Sequence, residues 1–69
     1  MRNSVRELRM ARGWTQEELG IKVGVSRQAI IAIESGKYDP SLPLAIKLAR
    51  ALRKPVEGIF ILEDASSKP

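Results

Sequence analysis

The chain has 69 residues, 12 Lys and Arg against 8 Asp and Glu, and a formal net charge of +4, which bounds it to one small domain and fits a polyanionic partner. Cysteine and histidine are both absent, which excludes disulfides, thiolate or imidazole metal sites and the usual general base. No apolar run approaches the ~20 residues of a membrane span, and the charged N-terminus has no signal-peptide core, so a soluble cytoplasmic protein is expected.

The first helix is expected from about Ser4 to Arg12. Ser4 and Glu7 have the spacing of an S-x-x-E capping box. Val5, Leu8 and Ala11 give one apolar side, and Gly13 ends the helix. Arg2, Arg6 and Arg9 recur at i, i+4 and i+7 beside that side. Trp14 follows as a linker residue expected to fold into the core.

Thr15 to Glu34 predicts two short helices with a tight turn. Thr15 and Glu18 make a second capping box, Leu19 and Val23 lie one turn apart, and Gly24 stops the helix. Gly20 lies inside this helix at a cost of about 1 kcal/mol relative to Ala. Either another helix approaches it closely or the residue is merely tolerated. Val25 plugs the turn. Ser26 caps the next helix, with Ala29, Ile30 and Ile33 on its inner side and Arg27 and Gln28 in its first turn. An Arg and a Gln presented at the start of a second helix can read bases in the major groove.

Gly36 suits the left-handed end of the third helix, and Lys37 to Pro40 form an exposed loop. Ser41 caps a fourth helix, with Pro43 in its first turn. Leu44, Ala45, Leu48, Ala49 and Leu52 form its apolar stripe. Lys47, Arg50, Arg53 and Lys54 gather toward its C-terminal end, complementing the helix dipole and aiding solubility. Pro55 starts a last single turn to about Ile59. Ile59 to Leu62 is β-branched and aromatic, and could be a short strand instead. The reading is thus an all-α five-helix domain over residues 1–62, with a short C-terminal strand as an option, and a flexible polar tail over 63–69.

The run TQEELGIKVGVSRQAIIAIESGKYDPSL resembles the Cro/repressor-type (XRE-family) helix-turn-helix proteins of bacteria, archaea and phages. Gln16, Leu19, Gly24-Val25-Ser26, Ile30, Ile33-Glu34, Gly36-Lys37 and Pro40-Ser41 carry it, and the likeness covers roughly residues 3–61. It implies a compact lambda-repressor-like fold with the third helix as recognition helix. It also implies that Gln16 binds a phosphate and buttresses that helix, that positions 26 to 28 face base edges or phosphates, and that Lys37 and Tyr38 touch the DNA backbone. Arg9 aligns with a first-helix arginine that pairs with a glutamate, here Glu34, although the basic stripe by itself suggests a phosphate contact for Arg9. Three positions depart from the family pattern: Gly20 replaces a usual Ala, and Ile21 and Ile31 stand where charged or polar residues are common.

Residue chemistry sharpens these roles. Arg27 can donate two parallel bonds to guanine, and Gln28 can pair with adenine. Each has a plainer alternative, a phosphate contact or a solvated surface for Arg27 and a surface helix former for Gln28. Gln16 begins a helix, where free N–H groups favour an anion. Ile31 can touch a thymine methyl, stand exposed, or join Ile21 in a subunit contact. Arg2 and Arg6 read as solvated surface charges, although Arg2 can still reach a phosphate from the N-terminal arm. The DNA base-reading set is therefore Ser26, Arg27, Gln28 and Ile31, and the phosphate set is Gln16, Lys37, Tyr38 and Arg2.

The function these features imply is a sequence-specific, double-stranded DNA-binding transcriptional regulator of repressor type. A homodimer would read a pseudo-palindrome and associate through Ile59, Phe60, Ile61 and Leu62, by strand pairing across the twofold or by helices alone. The alternative is a protein-interaction module such as an antitoxin. An enzyme is disfavoured, because no acid–base pair or phosphate-binding glycine loop can be assembled. No cofactor, metal or small-molecule ligand is implied.

Overall fold

In the computed structural model, which describes residues 1–62, short-range capping sets most element boundaries. The order is β1 (Arg2–Asn3), α1 (Val5–Ala11), α2 (Gln16–Val23), α3 (Arg27–Glu34), α4 (Leu42–Leu52), α5 (Val56–Ile59) and β2 (Phe60–Ile61). The tail expected over 63–69 lies outside the described residues.

Thr15 holds an extended backbone, accepts from the Glu18 N–H at 3.0 Å and donates its own N–H to Glu18 Oε1 at 2.7 Å. Two orphan amides of α2 are satisfied at once. Gly24 ends α2 at φ 80°. Ser26 accepts from the Ala29 N–H at 3.1 Å, and Ser41 accepts from the Leu44 N–H at 3.4 Å.

The first helix does not follow the expected cap. Ser4 sits at φ −112°, ψ 27° and makes no side-chain cap, so the Ser4–Glu7 box does not form. The Ser4 N–H is committed to the Ile59 carbonyl at 2.9 Å, which turns its backbone out of the extended region a capping residue needs. Asn3 acts instead: its Oδ1 accepts from the Val5 N–H at 3.0 Å, and its Nδ2 donates to the Ile33 carbonyl at 2.8 Å. Ala11, expected on the apolar side, is exposed. The inward face of α1 is Val5, Leu8 and Arg9, at i, i+3 and i+4.

Each helix contributes to one core: Val5 from α1, Leu19 and Val23 from α2, Ile30 and Ile33 from α3, Leu48 and Leu52 from α4, and Ile59 from α5. Trp14 is half-buried against this core, with its ring beneath Lys22 Nζ at 4.4 Å and the Arg12 guanidinium at 5.4 Å. It covers the edge of the core and does not enter it.

Gly20 is required by close approach, though of the following turn and not of another helix. A Cβ there would lie 2.6 Å from the Val25 carbonyl oxygen. The turn between α2 and α3 folds back onto this position, and the Val25 N–H donates to the Gly20 carbonyl at 2.9 Å. Without a side chain at Gly20 the turn sits flush on α2.

The C-terminal alternatives resolve into both forms in succession, one helical turn and then a strand. β2 pairs antiparallel with β1, Arg2 opposite Ile61 and Asn3 opposite Phe60. The N-terminal arm thus supplies the strand partner within the chain.

Candidate nucleic-acid interface

α3 is held by its inner face. Ile30 and Ile33 are fully buried, and their spacing fixes which residues turn outward. Arg27, Ile31 and Ser35, at i, i+4 and i+8, line one wall of an open groove of about 730 Å³. Thr15, Gln16 and Glu17 at the start of α2, and Arg6 and Arg9 on α1, line the rest. Gln28 is exposed on the flank of α3 and does not line the groove. Ser26 spends one acceptor site of its hydroxyl on the cap, which leaves the O–H free to donate.

The groove floor is an ion-pair network. Arg9 Nε donates to Glu34 Oε2 at 2.6 Å, and Arg9 Nη2 donates to Oε1 at 3.3 Å. Gln16 Nε2 adds a third donor to Oε1 at 3.1 Å, and Arg9 Nη1 donates to the Trp14 carbonyl at 2.7 Å. The side chains of Arg9 and Glu34 are only 10% and 5% exposed. One cluster therefore ties α1, the start of α2 and the end of α3 together, and it fixes the angle at which α3 is presented. It also neutralises Glu34, so Arg6 and Arg27 face the groove against the single carboxylate of Glu17.

Gln16 thus has two distinct donor groups. Its side chain buttresses α3 through Glu34, while its backbone N–H, the first of α2, has no intrahelical acceptor. An anion at the start of α2 would meet that amide.

Lys37 and Tyr38 are exposed beyond the end of α3 and outside the groove. Both backbone N–H groups donate to the Ala32 carbonyl, at 3.0 and 3.2 Å, which fixes the loop on the helix terminus. Arg2 lies in β1, beside Glu34, Ser35 and Gly36. Ile31 and Ile21 are both exposed but line different depressions, so they do not form one apolar patch. Of the residues expected at a subunit contact, Ile59 is fully buried within the chain. The β1–β2 pairing and α5 pull it inward, so its side chain offers a partner no surface. Phe60 is half-buried, and Ile61 and Leu62 are 50% and 75% exposed.

Arg6 is the groove residue that sequence reasoning set aside. The available signal was its position three residues before Arg9, on the same helical face. Among the described residues, no group of three or more His, Cys, Asp or Glu could hold a metal ion, and no helix is long and apolar enough to cross a membrane.

The helix-turn-helix family profile matches residues 5–59. The chain is 55% identical over 69 residues to an uncharacterised HTH-type transcriptional regulator of Methanothermobacter thermautotrophicus, covering 99% of this chain and 100% of that protein. Its fold is similar to that of the restriction-modification controller protein C.AhdI from Aeromonas hydrophila, with a TM-score of 0.74 and 38% identity over 81% of this chain and 85% of that one. It is also similar to part of PlcR from Bacillus thuringiensis, solved with the peptide PapR7 and DNA. That match has a TM-score of 0.75 and 25% identity over 93% of this chain and 24% of that one.

Proposed function

This chain belongs to the XRE-type helix-turn-helix family of DNA-binding transcriptional regulators, and on that premise we propose that it reads a pseudo-palindromic operator in duplex DNA as a homodimer. The observation that carries the reading is the outward row of α3, Arg27 and Ile31, standing in one groove with the open N-terminus of α2 and Arg6.

α3 enters the major groove with its first turn leading. Arg27 binds guanine O6 and N7, Gln28 binds adenine from the flank, Ser26 donates its free O–H, and Ile31 meets a thymine methyl. The Gln16 backbone amide takes a phosphate at the start of α2, with Arg6 supplying charge beside it. Lys37 and Tyr38 take backbone contacts past the far end of α3, with Arg2 near them. Ile61 and Leu62 supply the apolar surface of the dimer contact, which sets two α3 helices about 34 Å apart, one turn of DNA. The site of action is the cytoplasm, with the chromosome.

Selection of genomic fragments by the purified protein tests this directly. The expected product is a recurring inverted repeat with half-sites one turn apart. With six or more phosphate contacts, affinity falls about 10³-fold or more between 50 and 200 mM salt. Absence of salt-sensitive binding to every fragment would overturn the proposal.

A further inference from the structure

A second cleft of about 510 Å³ lies apart from the groove at α3. It is lined by Arg12, Trp14, Lys22, Lys47, Arg50, Ala51 and Arg53, five cations and no acid. It shares no residue with the α3 groove. Gln16 and Lys22, which mark the two sites on α2, are about 9 Å apart along the helix and about 120° apart around it. The cleft and the α3 groove therefore face different sides of α2.

Three observations make the cleft more than a solvated rim. Among the described residues, none of its five cations is ion-paired. Helix-dipole complementarity does not account for the whole set: Arg12, Lys22, Arg50 and Arg53 stand at helix ends, where Arg12 Nη2 donates to the Leu52 carbonyl at 3.3 Å, but Lys47 lies mid-helix in α4. The third is a strained arginine. Gly13, Gly24 and Gly36 also have positive φ, but among the described residues Arg53 is the one non-glycine there, at φ 58°. A cationic side chain stands where glycine would be less strained.

We infer that this cleft is a docking site for an acidic, Asp/Glu-rich polypeptide segment of a partner protein. Its cations come from α2, from α4 and from the C-terminal ends of α1 and α4, and they surround a shallow, open concavity. Lys22 and Arg12 are preordered over the Trp14 ring, and Trp14 and Ala51 give the cleft an apolar floor. An extended peptide carrying carboxylates and an occasional aliphatic side chain fits that shape. A stacked base would compete with Lys22 for the indole.

Trp14 is the single tryptophan of the chain, so its emission reports the site. A short synthetic Glu/Asp-rich peptide carrying one leucine is titrated into the intact protein, with amide NMR shifts mapping the contact. Saturable binding is expected, with shifts clustered at Trp14, Lys22, Lys47 and Arg50. Lys47→Glu with Arg50→Glu weakens it about tenfold, whereas Arg6→Glu with Arg27→Glu, of equal net charge, changes it less than about twofold. Arg53→Gly raises the melting temperature while weakening peptide binding, which separates docking from folding. Equal losses in the two charge-reversed pairs would reduce the effect to net charge and overturn the inference. So would a non-operator duplex or single strand that displaces the peptide from Trp14.

Discussion

Replacing Arg9 by alanine tests the network that sets the angle of α3. The truncation removes both donors to Glu34 and the bond to the Trp14 carbonyl. Glu34, 5% exposed in the intact network, keeps one donor, Gln16 Nε2 at 3.1 Å. The carboxylate loses its charged partner, and the cost is that of breaking a buried pair, about 3–5 kcal/mol. A domain of this size has a total stability of about 3–10 kcal/mol. The melting temperature should fall by about 12 °C or more, since each kcal/mol moves it about 4–8 °C. Thermal unfolding followed by circular dichroism reads the shift, and urea titration reads the free energy. Arg9→Met with Glu34→Leu should recover most of the loss, because an apolar pair strands no charge. A melting point within about 4 °C of the parent, together with weakened DNA binding, would refute the reasoning and make Arg9 a phosphate ligand.

Arg27→Ala should cost about 1–3 kcal/mol on the selected operator and relax preference at one base pair, measured by competition with single-base variants. A uniform loss across sequences would mean a phosphate contact instead. Gly20→Val should destabilise by about 1–3 kcal/mol, because its Cβ meets the Val25 carbonyl at 2.6 Å and the turn must move. Denaturant titration checks it, and an unchanged midpoint would show that the turn yields freely. Ile61→Asp should weaken self-association and operator affinity together while leaving the monomer folded, since Ile61 is half exposed. Sedimentation at several concentrations checks this, and an unaltered dimer would move the contact to another face.

Residues within four positions of one another were legible in the sequence. The Thr15–Glu18 box, the Ser26 and Ser41 caps and the Gly24 stop are chemistry between near neighbours, and the structure forms each of them. The apolar periods of α2, α3 and α4 were equally local, so the core faces followed. The Ser4–Glu7 spacing looked identical to that of Thr15–Glu18, yet its cap fails. The difference is a bond to Ile59, 55 residues away, which no local pattern contains.

The groove divides in the same way. Sequence placed Arg27 and Gln28 in the first turn of a capped helix, because capping and helical period fix their direction. Only the packed helices decided that Arg6 shares a groove with Arg27, that Ile59 turns inward, that β1 takes the edge of β2, and that five cations share one cleft with Trp14. Such juxtapositions depend on the angles at which helices cross. Those angles are set by how buried side chains such as Leu19, Ile30 and Leu48 interlock across the core, and by one glycine whose missing side chain lets the turn close.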